Sequence, residues 1–166
     1  GTGECAGPLH RNGRITVCWN TDAPGYTDTS PSLYQSHPWV LGVRPDGSAF
    51  GVLADTTWRC EIDLRDGIAF RSDGPPFALY IIEGTTPQHV VGKLAMLTGF
   101  MPMPPRWALG YHQCRFSYCP AERVMEVAQE FRSRDIPCDV IWMDIDYMDG
   151  YRIFTFDPEG FHDPAA

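Results

Sequence analysis

The chain has 166 residues, of which 43% are hydrophobic, and a formal net charge of -8 at pH 7. This length and composition are typical of a globular protein with its own core, and no apolar run approaches the roughly 20 residues that span a membrane. Because the acidic chain has no cluster of Lys or Arg, we expect neither nucleic acid nor a membrane as a partner.

The first half of the chain has the pattern of antiparallel β structure. Short runs of β-branched, aromatic or alternating residues predict strands at 15–19, 39–43, 60–65 and 77–82. Asp-Gly pairs at 46–47 and 66–67 lie between such runs and predict tight hairpin turns. We therefore expect a β-sandwich, or part of one.

A long irregular segment, residues 20–31, separates the first two predicted strands. It is too long for a hairpin, and long loops in compact domains often serve a functional site. Asp22, with Tyr26 nearby in the chain, is a candidate contact to a sugar. The alternative is an aspartate that only interacts with solvent.

A helix and a stiff spacer follow the predicted sandwich. Thr86 is typical of a helix N-cap and Pro87 of the first helical position. The apolar stripe of this helix is predicted to consist of Val90, Val91, Leu94 and Leu97. Residues 101–105, MPMPP, fit neither a helix nor a central strand. We place the segment boundaries at 1–86 for the sandwich, 87–105 for the helix and spacer, and 106–166 for a second domain.

The second domain begins with the pattern strand, helix, strand. Residues 107–111 are apolar and strand-like, and a helix is predicted after Pro120 from the spacing of Val124, Val127, Ala128 and Phe131. The unbroken apolar run 140–143 predicts a strand buried on both faces. This order predicts a right-handed βαβ unit. A complete (β/α)8 barrel needs on the order of 250 residues, so we expect this chain to be part of a longer one.

Acidic residues follow the predicted buried strand directly, at the end where α/β proteins place ligand groups. On a regular strand, Asp144 and Asp146 would point to one face, about 6.5 Å apart. That spacing fits the carboxylate pair of a retaining glycosidase. It also fits a divalent metal site of a glycosyltransferase, or an aspartate that caps a turn beside a solvated one. The local pattern leaves all three open.

The cysteines and histidines show no metal-site or disulfide pattern. Six cysteines are scattered without a Cys-x-x-Cys, and Cys18, Cys60 and Cys138 lie in apolar contexts that favour buried free thiols. His37 and His112 have no second ligand at metal spacing, so we expect them to be structural and predict no metal or other cofactor. The absence of an Asn-x-Ser/Thr site, together with the free thiols, favours an intracellular, cytoplasmic location.

Two long stretches resemble glycoside hydrolase family 31, the α-glucosidase family. They are residues 104–115, PPRWALGYHQCR, and residues 136–148, IPCDVIWMDIDYM. Residues 1–4 and 34–38 are similar to the amino-terminal sandwich of that family, and residues 154–157 also fit. The resemblance covers nearly the whole chain. It is greatest to plant-type neutral α-glucosidases, heteroglycan glucosidases and the glucosidase II branch.

The resemblance implies an α+β chain in two parts: a partial, galactose-mutarotase-like antiparallel β-sandwich, then the first βαβ unit of a (β/α)8 TIM barrel. It implies a retaining mechanism on α-linked glucosides or glucans, without a metal. Asp144 would hydrogen-bond the sugar in the −1 subsite, with Ile145 lining the pocket and Phe116 packing on the sugar. Asp22 would lie in a sandwich loop that reaches the aglycone side.

The family places its nucleophile in a Trp-x-Asp-Met-Asn-Glu stretch on a later strand, with the acid/base later still. Neither motif occurs in this chain, so the Asp144 and Asp146 pair is not expected to be the catalytic pair. We therefore expect no catalytic residue here, an inactive chain in isolation, and a partner in the remainder of the barrel. The alternatives are a non-catalytic carbohydrate-binding or regulatory module and, third, a metal-dependent glycosyltransferase that uses Asp144 and Asp146.

Overall fold

A computed structural model describes residues 2–164. The chain divides into two units, Gly1–Phe100 and Met101–Ala166. The first unit contains β1 (Ile15–Cys18), β2 (Trp39–Val43), β3 (Ala49–Ala54), β4 (Cys60–Asp63), β5 (Ala69–Ser72), β6 (Leu79–Gly84) and α1 (Pro87–Thr98). The second contains β7 (His112–Gln113), α2 (Ala121–Ser133), β8 (Val140–Ile141), and 3-10 helices at Arg106–Leu109 and Asp149–Tyr151.

The strands of the first unit form two antiparallel sheets of three strands each. Their orders are β1-β4-β5 and β2-β3-β6. Val40 of β2 packs against Cys18, Cys60 and Ile62 of the other sheet, and all four side chains are buried. Two antiparallel sheets that share one apolar core form a sandwich, which confirms the predicted fold class of this half.

Both predicted Asp-Gly turns connect paired strands. The β2–β3 hairpin turns at Gly47 and the β4–β5 hairpin at Gly67, with φ values of 86° and 148°. Glycine adopts positive φ without the steric cost that a Cβ adds. Asp46 closes the first turn, because its Oδ1 accepts hydrogen bonds from the backbone N–H of Ser48 at 2.9 Å and from its hydroxyl at 2.7 Å.

Helix α1 begins as the sequence indicates and covers the outer face of the second sheet. The hydroxyl of Thr86 accepts a hydrogen bond from the N–H of His89 at 3.2 Å, and Pro87 is the first helical residue. This cap satisfies one of the N–H groups that a helix start leaves without a partner. Val90 is fully buried against the sheet in a cluster with Trp39 and Ala49.

The apolar stripe of α1 is narrower than its sequence predicts. Val90 is buried and Leu94 packs against the same cluster, but Val91 and Leu97 are 49% and 50% exposed. The reason is geometric: α1 lies on one three-stranded sheet, so only the side chains directly above that sheet lose contact with water.

The second unit contains the predicted βαβ arrangement, with shorter strands than expected. β7 pairs with β8 in parallel, with His112 opposite Val140 and Gln113 opposite Ile141. The prediction of a strand at 107–111 is wrong, since the 3-10 helix Arg106–Leu109 occupies most of that run. Its first turn is closed by a 3.0 Å hydrogen bond from the N–H of Ala108 to the carbonyl of Pro105. A short apolar run does not distinguish a strand from a helical turn.

The prediction that residues 140–143 form a strand buried on both faces is also wrong. β8 ends at Ile141, its two residues are half-buried, and Trp142 is 54% exposed. Within the described part of the chain, β7 is the single strand that pairs with β8. One neighbouring strand does not remove both faces of β8 from water.

The cysteines are free thiols, as expected. Cys18, Cys60 and Cys138 are buried, and Cys18 lies directly opposite Cys60 on neighbouring strands. Burial raises the pKa of the Cys18 thiol to about 12, with a further contribution from Cys60. A thiol with such a pKa stays protonated and packs as a small apolar group. Among residues 2–164, no helix has the length and apolar character needed to cross a membrane.

Gly51 of β3 provides a test of the packing of the second sheet. A Cβ at this position would overlap the indole ring of Trp39, whereas a Cβ at Gly92 of α1 would meet no atom within 4 Å. We expect Gly51→Ala to destabilise the protein by about 1–3 kcal/mol, the usual cost of overpacking. Gly92→Ala is the matched control and should stabilise α1 by roughly 0.5–1 kcal/mol. Urea unfolding measures both, and equal midpoints for the two variants would contradict the packing described.

A buried carboxylate in the first sheet predicts a pH dependence of stability. Asp63 is 8% exposed and accepts hydrogen bonds from Arg65 at 2.8 and 3.0 Å and from Arg71 at 3.0 Å. These two guanidinium groups, Arg65 first, hold the pKa of the carboxyl well below its usual range. Below the ordinary aspartate pKa of about 3.9, the unfolded chain binds a proton before the folded chain does, so this stabilisation is lost as the pH falls.

We therefore expect Asp63→Asn to unfold at a lower temperature than the parent at pH 7, with the difference shrinking below pH 4. The control is Asp73→Asn, because Asp73 pairs with Arg59 at 3.4 Å and its side chain is 69% exposed. Exposed pairs contribute little to stability, so this control should unfold with the parent. Thermal unfolding followed by circular dichroism at several pH values decides the matter. A difference in unfolding temperature between Asp63→Asn and the parent that grows as the pH falls would contradict an ionised Asp63.

Candidate functional site

The carboxyl ends of β7 and β8 lie at the same edge of the two-stranded sheet, because the strands are parallel. The segment after β7 contains Phe116, and the segment after β8 contains Asp144 and Ile145. Three of the four residues predicted to bind a ligand therefore follow neighbouring strands at one edge. This is the edge at which barrels and open α/β sheets place their ligands.

A hydrogen bond joins the two segments at that edge. The backbone N–H of Ser117 donates to Oδ2 of Asp144 at 3.2 Å, across 27 residues of sequence. Both residues have left-handed backbones, with φ values of 61° for Ser117 and 66° for Asp144. This conformation costs roughly 1–2 kcal/mol for a residue with a Cβ, and aspartate tolerates it better than most. Strained backbone of this kind is concentrated at functional sites.

The sequence contained no signal for the contact of Ser117. Its donor is a main-chain N–H, which any residue except proline supplies, and its acceptor is far away in the chain. Only the parallel pairing of β7 with β8 brings the two together.

Asp144 and Asp146 do not have the relation that a regular strand would impose. β8 ends at Ile141, and the left-handed backbone at Asp144 interrupts the alternation of side chains. Oδ1 of Asp146 accepts a hydrogen bond from the hydroxyl of Tyr151 at 3.4 Å, so the two carboxylates have different partners. The regular strand assumed for Asp144 and Asp146 is therefore absent, since β8 ends before both residues.

The residues next to Ser117 and Asp144 in the chain, Phe116 and Ile145, have exposed apolar side chains. Phe116 is 80% exposed and Ile145 is 41% exposed. An ionised carboxylate accepts hydrogen bonds from several hydroxyl groups, and an aromatic ring packs against C–H groups. A carboxylate beside an aromatic and an aliphatic side chain suits a polyhydroxylated ligand with apolar C–H faces.

A polar network supports this edge from within the second unit. Tyr118 is 2% exposed, and its hydroxyl accepts a hydrogen bond from Nε2 of Gln113 at 2.8 Å. Oε1 of Gln113 accepts from the hydroxyl of Tyr111 at 2.7 Å. The guanidinium carbon of Arg115 lies 5.2 Å from the centre of the Tyr118 ring, a cation–π distance. These contacts anchor the segment that carries Phe116.

Two buried polar atoms in the second unit lack a hydrogen-bond partner among residues 2–164: Nε2 of His112 and Oγ of Ser117. Nε1–H of Trp142 donates to Nδ1 of His112 at 3.1 Å, so the neutral ring carries its proton on Nε2. Buried polar groups almost always have partners in native proteins. The hydroxyl beside Asp144 and the imidazole N–H are therefore positions that a ligand or another part of the protein would complete.

Asp22, the fourth predicted site residue, belongs to the first unit. Its Oδ1 accepts a hydrogen bond from the hydroxyl of Tyr34 at 3.1 Å, and the same hydroxyl accepts from the N–H of Ala23 at 3.1 Å. Tyr34 thus ties the carboxylate to the backbone of its own loop while leaving Asp22 exposed. A ligand-binding role for Asp22 stays a prediction.

No three His, Cys, Asp or Glu side chains within the described range 2–164 are grouped closely enough to hold a metal ion. Asp144 and Asp146 therefore do not belong to such a group among the described residues. The polar groups at this edge are suited to hydrogen bonding of a ligand.

Both units match models of known domains. Residues 1–63 match the glycosyl hydrolase 31 N-terminal galactose mutarotase-like domain, and residues 101–166 match the glycosyl hydrolases family 31 TIM-barrel domain. The chain is 46% identical to alpha-glucosidase 2 of Bacillus thermoamyloliquefaciens, over 97% of this chain and 21% of that protein.

Solved structures agree with these matches. A family 31 alpha-glucosidase from Bacteroides thetaiotaomicron superposes with a TM-score of 0.88 at 56% identity, covering 99% of this chain and 29% of that one. A glucosidase II alpha subunit gives a TM-score of 0.84 at 29% identity, over 99% of this chain and 21% of that one. The chain spans about a fifth of the length of the curated relatives that it matches.

The left-handed backbone at Ser117 leads to a test of the contact between the two segments. Proline has no N–H and cannot adopt a φ of 61°, so Ser117→Pro should remove the bond to Asp144 and cost about 3 kcal/mol or more. Ser117→Gly keeps the N–H and relieves the strain, so we expect it to match or exceed the stability of the parent. Urea unfolding of both variants is the measurement, and a proline variant as stable as the glycine variant would exclude this geometry.

Proposed function

Because the chain belongs to glycosyl hydrolase family 31, we propose that the protein containing it is a retaining α-glucosidase that releases terminal α-linked glucose from glucans or glucosides. The main support is the match of residues 101–166 to the TIM-barrel domain of that family, with Asp144 and Phe116 at the carboxyl ends of its first two strands. The α-glucosidase relatives support the same assignment.

In this proposal Asp144 binds the sugar in the −1 subsite. Its Oδ2 already accepts the N–H of Ser117, which restricts rotation of the carboxylate and leaves further lone pairs for sugar hydroxyls. Hydrogen bonds to hydroxyls of the −1 sugar contribute to catalysis when they strengthen as positive charge develops on the ring in the transition state. Asp144 is thus a substrate-binding residue, and the nucleophile and acid/base are supplied by other parts of the barrel.

Phe116 and Ile145 pack against the C–H groups of the same sugar. Both are exposed apolar side chains next to the carboxylate, and burying them under a pyranose ring would remove apolar surface from water. The orphan hydroxyl of Ser117 would gain a partner in the same step.

In the same proposal Asp22 contacts the aglycone side of the substrate. The hydrogen bond from Tyr34 engages Oδ1 of Asp22 and leaves Oδ2 without a partner among residues 2–164. An exposed carboxylate in a fixed orientation can accept hydrogen bonds from sugar hydroxyls, which would bias binding toward saccharide aglycones.

We also propose an intracellular location for the protein. The support is that all six cysteines, which lie within the described residues, are free thiols. Free thiols are typical of proteins in reducing compartments. Fractionation of the source cells with an antibody against this chain checks the proposal, and recovery from the medium would overturn it.

The proposed function is tested with the full-length protein and p-nitrophenyl α-glucoside. We expect hydrolysis in which the first released sugar is the α-anomer, as a retaining mechanism requires, detected by proton NMR. Asp144→Asn should lower kcat/KM by about 10²–10³-fold, the range measured for loss of one group that stabilises the transition state.

The matched control is Asp135→Asn. Asp135 is also an exposed aspartate with a left-handed backbone, φ 55° against 66° for Asp144, but it follows α2. Asparagine tolerates this conformation at both positions, so folding should be preserved in both variants. Asp135→Asn should keep the activity of the parent. Equal activities of the two variants would rule out the role of Asp144, and a parent without α-glucosidase activity would rule out the function.

A further inference from the structure

The first unit contains a cavity of about 480 Å³ that the proposed chemistry does not use. Trp19 and Asn20, directly after β1, form one side of it. Ser36 lies shortly before β2, and Thr56 and Thr57 follow β3. Its volume is within the roughly 300–1,000 Å³ of small-molecule sites. All of its lining residues belong to the sandwich.

Hydrogen bonds hold the backbone carbonyl of Trp19, whereas its side chain is exposed. Its carbonyl accepts a hydrogen bond from the hydroxyl of Thr21 at 3.2 Å and another from the hydroxyl of Ser32. The residue is nevertheless 55% exposed. A tryptophan side chain has only two rotatable torsions, so it loses little conformational freedom when a ligand covers it, and it gains the burial of apolar area.

The polar groups around the indole are neutral. The residues that line the cavity are Cys18, Trp19, Asn20, Ser36, Pro38, Thr56 and Thr57, none of which carries a charged side chain. Thr56 uses its hydroxyl to accept the N–H of Trp58 at 3.2 Å. Within the described part of the chain, the side chains of Asn20, Ser36 and Thr57 form no hydrogen bond.

An exposed indole ring among neutral polar side chains favours one class of ligand. The amide of Asn20 and the two free hydroxyls provide both donors and acceptors, which suits a ligand with several hydroxyl groups. An anion or a cation would have no opposite charge in the lining. A pyranose presents one face of C–H groups to an aromatic ring and hydroxyl groups at its edge. The lining therefore fits a neutral sugar.

We propose that this cavity is a second carbohydrate-binding site, which binds a glucosyl unit of an α-glucan with Trp19 packed against the ring. The choice of glucose as the sugar rests on the proposed α-glucosidase function. Asn20, Ser36 and Thr57 hydrogen-bond the hydroxyls of that unit. A long glucan supplies a glucosyl unit for this site in addition to the one at Asp144, whereas p-nitrophenyl α-glucoside contains a single glucosyl unit.

The test compares a long with a short substrate in the full-length protein. The selectivity is the ratio of kcat/KM for maltoheptaose to kcat/KM for p-nitrophenyl α-glucoside. We expect Trp19→Ala to lower this ratio about threefold to tenfold, the worth of one aromatic contact. Asn20→Ala should also lower the selectivity ratio. This second variant tests the site even if Trp19→Ala fails to fold.

Trp58→Ala is the matched control. Trp58 is 57% exposed and lies in the same unit, but it does not line the cavity. The selectivity ratio of Trp58→Ala should equal that of the parent. An unchanged ratio in both Trp19→Ala and Asn20→Ala would overturn the proposal, and so would an equal loss in Trp58→Ala.

The proposal and the α-glucosidase function fail in different ways. If the parent hydrolyses neither substrate, the proposed function is wrong, and calorimetry with maltoheptaose still tests the cavity. Binding that Trp19→Ala abolishes would then support a carbohydrate site, and a parent that binds no maltoheptaose would exclude it.

Discussion

The parallel pairing of β7 with β8 is the constraint on which the candidate site depends. It is short, with two residues from each strand, yet it places the segments after both strands at one edge. Phe116 and Asp144 are 28 positions apart in the sequence and reach that edge only through this pairing. A shift of the register would separate the N–H of Ser117 from the carboxylate that it binds.

At this edge, a hydrogen bond joins two residues whose backbone conformations are strained. Ser117 and Asp144 both adopt backbones that residues with a Cβ normally avoid, and the bond between them links the two. In the same unit, the buried Tyr118 accepts a hydrogen bond from the half-buried Gln113. In the proposed function, a carboxylate held in this way would lose little freedom on binding a sugar, which is the advantage of preorganisation.

The first unit combines a small core with the loop that carries the proposed ligand contacts. Its core joins the two sheets through Val40, Cys60 and Ile62. Asp63, at the end of β4, is paired with two arginines. The loops that carry Asp22 and Trp19 leave that core at the end of β1. A rigid sandwich that presents ligand-binding loops is a common division of roles in enzymes. In the proposed enzyme it would extend substrate contacts beyond the bond that is cleaved.

The sequence by itself determined the element types with strong local signals: the Asp-Gly hairpins, the Thr86-Pro87 helix start, the buried thiols, and the motifs at 104–115 and 136–148 that carry the family. It did not identify β3 and β5 as strands of their own, because β3 contains Gly51 and β5 lacks a β-branched run. Tertiary structure alone decided that 107–111 forms a 3-10 turn, that β8 ends at Ile141, and that Ser117 binds Asp144. The physical reason is that strand ends, left-handed residues and contacts across 27 positions depend on which neighbours are paired, and no local pattern encodes them.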